Sequence, residues 1–231
     1  MLDFSKFRIV TFDCYGTLID WETGILGALR PIFSAHGCKI EDSEALGIYG
    51  ALEADAESEN YRAYREVLRE VVRGFGHRLG FSPTDAEQNS LPDSLRNWQP
   101  FPDTVAALHQ IKRKMQVGII SNVDDDLFVA TRHKLQIDLD LLVTAAQARA
   151  YKPSMKIFEL AESKVGFSRN EWLHAAQSVH HDVAPAKALG IANVWVNRPS
   201  ARPNVGAVIQ ASAKPVVEVS SLAKLARLIA G

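Results

Sequence analysis

Asp13 stands at the end of the apolar run Arg8–Phe12, and Cys14, Tyr15, Gly16 and Thr17 follow it. A carboxylate in that place could act as a nucleophile or a base. Three other β-rich runs deliver polar groups in the same way: Ser121 and Asn122 after VGII, Lys152 shortly after LLVT, and Ser178 with Asp182 after LHAA. In an open parallel sheet, ligands bind beyond the carboxyl ends of the strands, because loops converge there and helix N-termini aim N–H groups into the same space. Together these residues amount to a carboxylate nucleophile, hydroxyl and amide donors, a cation and a second carboxylate. Singly, each has an ordinary explanation. Asp13 could form a turn, Ser121 and Asn122 could cap the next helix, Lys152 could be solvated, and Asp182 could cap VAPAKAL. Their joint occurrence, one set per strand end, is what favours a site.

The elements that must position them follow from periodicity. Short β-rich runs recur at Arg8–Phe12, Gln116–Ile120, Leu141–Thr144, Leu173–Ala176, Asn193–Val196 and Val216–Val219, most of them separated by helical patterns. That alternation predicts an α/β fold with a parallel sheet covered by helices. Asp103 is read as the N-cap of a helix carrying Val105, Leu108, Ile111 and Met115, and Pro153 as the first-turn proline of another. A last helix follows Ser220. Between Asp20 and about Trp98, strand signals fade while Tyr61, Tyr64, Val67, Leu68, Val71, Val72 and Phe75 share one helical face. Gly37 and Gly80 read as helix ends. The expected organisation is a core of residues 1–19 and 99–231 with a helical insert over 20–98. Asn197–Lys214, rich in Pro, Ser, Ala and Gly, is expected to be a surface loop.

Composition narrows the function classes. The 231 residues are 47% hydrophobic and carry a formal charge of −1, with 26 Lys and Arg against 27 Asp and Glu. No overall positive field exists to attract nucleic acid or an anionic membrane. No stretch approaches the roughly 20 apolar residues of a membrane span. Cys14 and Cys38 allow at most one disulfide, and the charged start MLDFSKFRIV is unlike a signal peptide. A cytoplasmic protein with reduced thiols is expected. Asp124, Asp125 and Asp126 are read as a solvated first helical turn, favoured by the helix dipole. His180 and His181 are adjacent and point different ways, and no cysteine or third histidine stands at ligand spacing. No metal and no other cofactor is expected.

FDCYGTL, IISN, YKP and HDVAPAKALGI resemble, in order and separation, the four motifs of the haloacid dehalogenase superfamily. The resemblance covers nearly the whole chain. It implies a Rossmann-like core with a helical cap inserted after the first motif, and it makes Asp13 the covalent nucleophile. Most members of that superfamily are magnesium-dependent phosphatases with a second aspartate where this chain has Tyr15. Tyrosine, with a reference pKa of about 10, is a poor acid for an alkoxide leaving group. Counting back four from Asp182 gives Ser178, a weak replacement for the carboxylate that helps hold Mg²⁺ in those enzymes. A halide departs without a proton, so D-x-Y-G-T resembles instead the 2-haloacid dehalogenases. The implied mechanism has Asp13 attack C2 of a small carboxylic acid and invert it. Thr17 orients Asp13, while Ser121, the N–H groups near Asn122 and Lys152 bind the substrate carboxylate. Lys152 also keeps Asp13 ionised. Tyr15 forms an apolar wall with a polar tip. Asp182, helped by Ser178 or a histidine, activates the water that cleaves the ester.

Two departures stand out. The L-2-haloacid dehalogenases receive the halide on an arginine early in the cap, yet Glu53–Asn60 contains none. Arg62 and Arg65 are the nearby candidates. In the fourth motif Val179 and His181, with His180 before it, replace an Asn and a Trp, and the histidines are candidates for binding the leaving atom or activating water. A smaller, more polar pocket would suit fluoroacetate, or azetidine-2-carboxylate, whose hydrolase in this superfamily has a similar FDCYGTLIDWETG opening. A magnesium-dependent phosphatase and a binding module without turnover are the remaining alternatives. The resemblance also implies a homodimer.

Overall fold

The structure, a computed structural model, describes residues 2–58, 60–203 and 205–231. Its centre is a sheet of β1 (Ile9–Phe12), β2 (Gln116–Ser121), β3 (Leu141–Thr144), β4 (Trp172–Ala176), β5 (Ala192–Val196) and β6 (Val217–Val219). The spatial order is β3-β2-β1-β4-β5-β6, and all five pairings are parallel. This is the order of a doubly wound, Rossmann-type sheet, whose direction of winding reverses beside β1. The crevice at the carboxyl end of β1 is therefore where a ligand site is expected, and Asp13 follows that strand directly.

The strands are apolar on both faces because helices cover both. On one side Val10 and Phe12 join a core that continues through Ile25, Leu29, Tyr49, Val71 and Phe75. On the other, Ile9 packs with Ile120, Leu141, Val143, Phe158 and Trp172. Four helices stand between β1 and β2 before the helix that returns to the sheet: α1 (Trp21–Ala35), α2 (Asp42–Ser58), α3 (Tyr64–Leu79) and α4 (Asp85–Ser94), followed by α5 (Thr104–Lys112). The rest are α6 (Asp125–Leu135), α7 (Ala145–Ala148), α8 (Met155–Val165), α9 (Ala184–Ala188) and α10 (Leu222–Ala230). Gly37, at φ 67°, follows α1, and Gly80, at φ 80°, ends α3, both in the left-handed region that favours glycine. Among the described residues, no helix is long and apolar enough to cross a membrane.

The structure refines several expectations. Asp103 is the N-cap residue of α5, as read, but its side chain makes no cap hydrogen bond. Its carboxylate instead accepts from Arg198 Nη1 at 2.7 Å and from the Ala223 N–H at 3.0 Å, tying α5 to α10. Pro153 lies ahead of α8, whose cap is Ser154. The segment after β5 runs mostly at the surface as expected, but it is pinned where Arg198, Ala207 and Val208 are buried. Gly50 on α2 permits this, since a Cβ there would lie 2.5 Å from the Ala207 carbonyl oxygen. Finally, Asp124 is buried, not solvated. It accepts the N–H groups of Tyr64 at 3.0 Å and Arg65 at 3.1 Å. The first turn of α3 has no side-chain cap of its own, so Asp124 supplies one from across the chain.

Candidate active site

The side chains delivered by the strand ends meet. Lys152 is 2% exposed, and its Nζ donates to Asp13 Oδ1 at 2.8 Å, Asp182 Oδ1 at 2.7 Å and the Ile120 carbonyl at 3.0 Å. All three ammonium protons therefore have acceptors. Thr17 donates to Asp13 Oδ2 at 2.6 Å and accepts the Gln177 N–H at 2.8 Å, so both carboxylate oxygens of Asp13 are held. Burial pushes Asp13 above the usual carboxylate range, against the pull of Lys152 and Thr17, and the charge of Asp182 adds to the rise. For Asp182 burial acts in the same direction, but Lys152 and His174 outweigh it and its pKa is lowered. Burial opposes the charge of Lys152, yet the two aspartates overcome that and raise its pKa.

Behind Asp182 runs a buried relay. The Trp172 indole N–H donates to Thr11 Oγ1 at 2.7 Å, Thr11 Oγ1 meets His174 Nδ1 at 2.8 Å, and His174 Nε2 faces Asp182 Oδ1 at 3.0 Å. Asp182 is ionised and can only accept, so Nε2 of His174 carries the hydrogen that it donates to Oδ1. Asp182 Oδ2 and Ser121 Oγ are buried and have no hydrogen-bond partner among the described residues. Buried polar atoms are rarely left so, and both residues line one small cavity with Asp13.

That cavity measures about 30 Å³, and Tyr15, Trp21, Glu53, Glu57, Tyr64, Lys152 and His181 are among its walls. Such a volume takes about two water-sized bodies. Glu53 is buried and its Oε1 accepts both the Tyr49 hydroxyl at 2.8 Å and the Tyr64 hydroxyl at 2.6 Å. Burial raises Glu53 to about 7, against the two phenols and with help from the charge on Asp13. Glu57 is pushed well up by burial and by the charge of Glu53.

A family model described as "haloacid dehalogenase-like hydrolase" matches residues 7–190. The chain belongs to that family of hydrolases. It is 26% identical over 217 residues to an (S)-2-haloacid dehalogenase of Pseudomonas fluorescens, covering 93% of this chain and 92% of the relative. It is also 25% identical to haloacetate dehalogenase H-2 of a Moraxella species, over 84% of this chain and 87% of the relative. In fold it is similar to the L-2-haloacid dehalogenase of Xanthobacter autotrophicus with chloropropionic acid covalently bound. The TM-score is 0.81 at 19% identity, covering 97% of this chain and 99% of the other.

Within this haloacid dehalogenase-like site, Asp13, Thr17, Lys152 and Asp182 form one connected network, and Ser121 opens on the same cavity. Tyr15 is a wall of the cavity, but its hydroxyl pairs with Thr131 Oγ1 at 2.9 Å, and its ring stands edge-on to Trp98. Ser178 caps the π-helical turn Val179–Val183 by accepting the His181 N–H at 2.9 Å. His181 reaches the cavity, whereas His180 stacks edge-on against it and is not among the lining residues. Asn122 lines the cavity, and its side chain is committed to Lys152 and Glu57: Oδ1 accepts the Lys152 N–H at 2.7 Å while Nδ2 donates to the Lys152 carbonyl and to Glu57. One expectation fails. Neither Arg62 nor Arg65 lines the cavity. The Arg62 carbonyl accepts the Tyr151 hydroxyl, and Arg65 pairs with Asp93 and Asp126 at the surface. Sequence reasoning missed Glu53 and Glu57. The available signal was spacing, since Tyr49, Glu53 and Glu57 repeat every four residues on the buried face of α2.

Proposed function

We propose that the chain hydrolyses a small 2-haloalkanoic acid, with Asp13 displacing the halide from C2 and forming an aspartyl ester that water then cleaves. The observation that carries this reading is the position of Lys152 Nζ, shared between Asp13 and Asp182. The ammonium keeps Asp13 in its attacking, ionised form despite burial, and Thr17 fixes the direction of the carboxylate. Attack comes from the side opposite the leaving group, so C2 is inverted. The Ser121 hydroxyl is placed to donate to the substrate carboxylate. Once the ester forms, Asp13 loses its charge, and Lys152 turns wholly to Asp182. Asp182 Oδ2 then accepts from the water that attacks the ester carbon, while His174 and Lys152 hold Oδ1. Tyr15, pushed up by burial and bound to Thr131, is a poor acid for a phosphate ester's alkoxide.

The test is a single turnover in ¹⁸O-water with enzyme in excess over bromoacetate or L-2-chloropropionate. The label is expected in the Asp13 side chain and not in the product hydroxyl. Asp13→Asn is expected to lose halide release by more than about 10³-fold. Label appearing in the product hydroxyl would mean direct attack by water and would overturn the nucleophile.

A further inference from the structure

The proposed reaction has the departing halide leave a site that already holds one substrate carboxylate. Among the described residues lining the cavity, Lys152 is the sole cationic side chain, and its protons are taken by Asp13, Asp182 and the Ile120 carbonyl. The wall supplied by α2 is acidic instead, made by Glu53 and Glu57. An ionised pair there would repel a halide, whereas a carboxylic acid would attract one. Both phenolic donors converge on a single oxygen of Glu53, Oε1, so in the neutral acid the proton sits on Oε2.

We propose that Glu53 is the catalytic acid that hands its proton to the leaving atom as Asp13 forms the ester, which fits the site to a halide that departs poorly without one, fluoride above chloride or bromide. This rests on the reading of Asp13 as nucleophile. An Asp13 oxygen bonds to C2, the C2–F bond breaks with its electron pair going to fluorine, and the Oε2 proton follows to give HF. Asp13 loses its negative charge in the same step in which Glu53 gains one, so the charge of the site is unchanged. The charge on Asp13 is also one of the causes that hold Glu53 protonated, so esterification makes Glu53 a stronger acid as the fluorine departs. When water cleaves the ester, the proton released restores Glu53. The groups facing Glu53 are Tyr49 and Glu57 on its own helix, Tyr64 on α3, and Asp13, Lys152, Asp182 and His181 across the cavity.

The experiment compares fluoroacetate with bromoacetate for the wild type and for Glu53→Gln, which keeps the shape but cannot give up a proton. Defluorination by the variant is expected to fall about 10²–10⁴-fold, the usual contribution of a general acid, with bromide release changed less than about tenfold. Retained bromide release is itself the proof that the variant is folded. Wild-type defluorination should fall as pH rises through about 7, and that limb should vanish in Glu53→Gln. Equal loss on both substrates, a limb that persists in the variant, or a wild type that releases bromide but no fluoride would overturn the role of Glu53 while leaving Asp13 as nucleophile. A wild type inert to both substrates would overturn the underlying reaction and this inference with it.

Discussion

Replacing Lys152 by Met removes a cation of similar length from between two buried carboxylates. Lys152 is 2% exposed and Asp182 is fully buried, so solvent cannot substitute for the ammonium. Breaking a buried ion pair by deleting one partner costs about 3–5 kcal/mol, since the other charge is left uncompensated. Here two partners are stranded, and mutual repulsion allows one of them to be relieved by taking up a proton. For a chain of this size, each kcal/mol moves the melting temperature by about 2–4 °C, so the expected drop is about 6–20 °C at neutral pH. The pH dependence supplies a second check. In the wild type the folded pKa of Asp182 is depressed, so its contribution is present above the unfolded value near 4 and lost as pH falls. In the variant both carboxylates have folded values raised above the unfolded one, so the penalty is absent below about 4 and grows as pH rises. The deficit against the wild type should thus be smaller at pH 4.5, where only the lost contribution of Asp182 is felt, than at pH 8, where the penalty of the stranded carboxylates is added. The assay is urea unfolding of both proteins at these pH values, compared at unchanged slope. A deficit under about 1 kcal/mol at pH 8, or one independent of pH, would refute the view that Lys152 holds two buried charges.

Two further outcomes are expected. Asp124→Ala leaves the first turn of α3 uncapped and should cost about 1–2 kcal/mol in urea unfolding; because α3 carries Tyr64 to Glu53, KM for the haloacid should rise as well. His181, which burial holds at about 3, should remain neutral from pH 5 to 8, so its ring-proton NMR resonances should show no inflection there and the activity profile no limb that disappears in His181→Asn.

The parallel sheet was legible because doubly covered strands are short apolar runs, and the six runs lie within a residue of the six strands. Asp13, Ser121 and Lys152 were legible for the same reason, each being the first polar group past such a run or close to it. Asp182 was harder to place from spacing alone, since a π-helical turn intervenes after β4 and turns it back toward Lys152. What α2 and α3 contribute to the cavity was not legible. A glutamate on a helix reads as solvent-facing, and only the convergence of Tyr49 and Tyr64, which needs α2 packed on α3, makes burial of Glu53 tolerable. Asp124 misled for a related reason: an aspartate in a run of three ahead of a helix reads as part of a solvated first turn, whereas its donors come from a helix about sixty positions earlier. The segment after β5 looked like surface from its composition, yet a bare glycine on α2 gives it a seat.

The placing of β1 at the middle of the sheet also bears on how the molecule is built. The first strand in the chain finds its neighbours in β2 and β4, and the hydrogen bond from Thr11 to His174 joins residues 163 positions apart. Contacts of such long range must close large loops before they repay the lost chain entropy, which slows folding. The carboxylate after β1 therefore waits, dissolved in water, until β4 and the turn after it have been made. A ribosome-bound chain ending before β4 would present Asp13 without Asp182 and without one flank of its strand, so catalytic competence in this protein is acquired only once the chain has passed that turn.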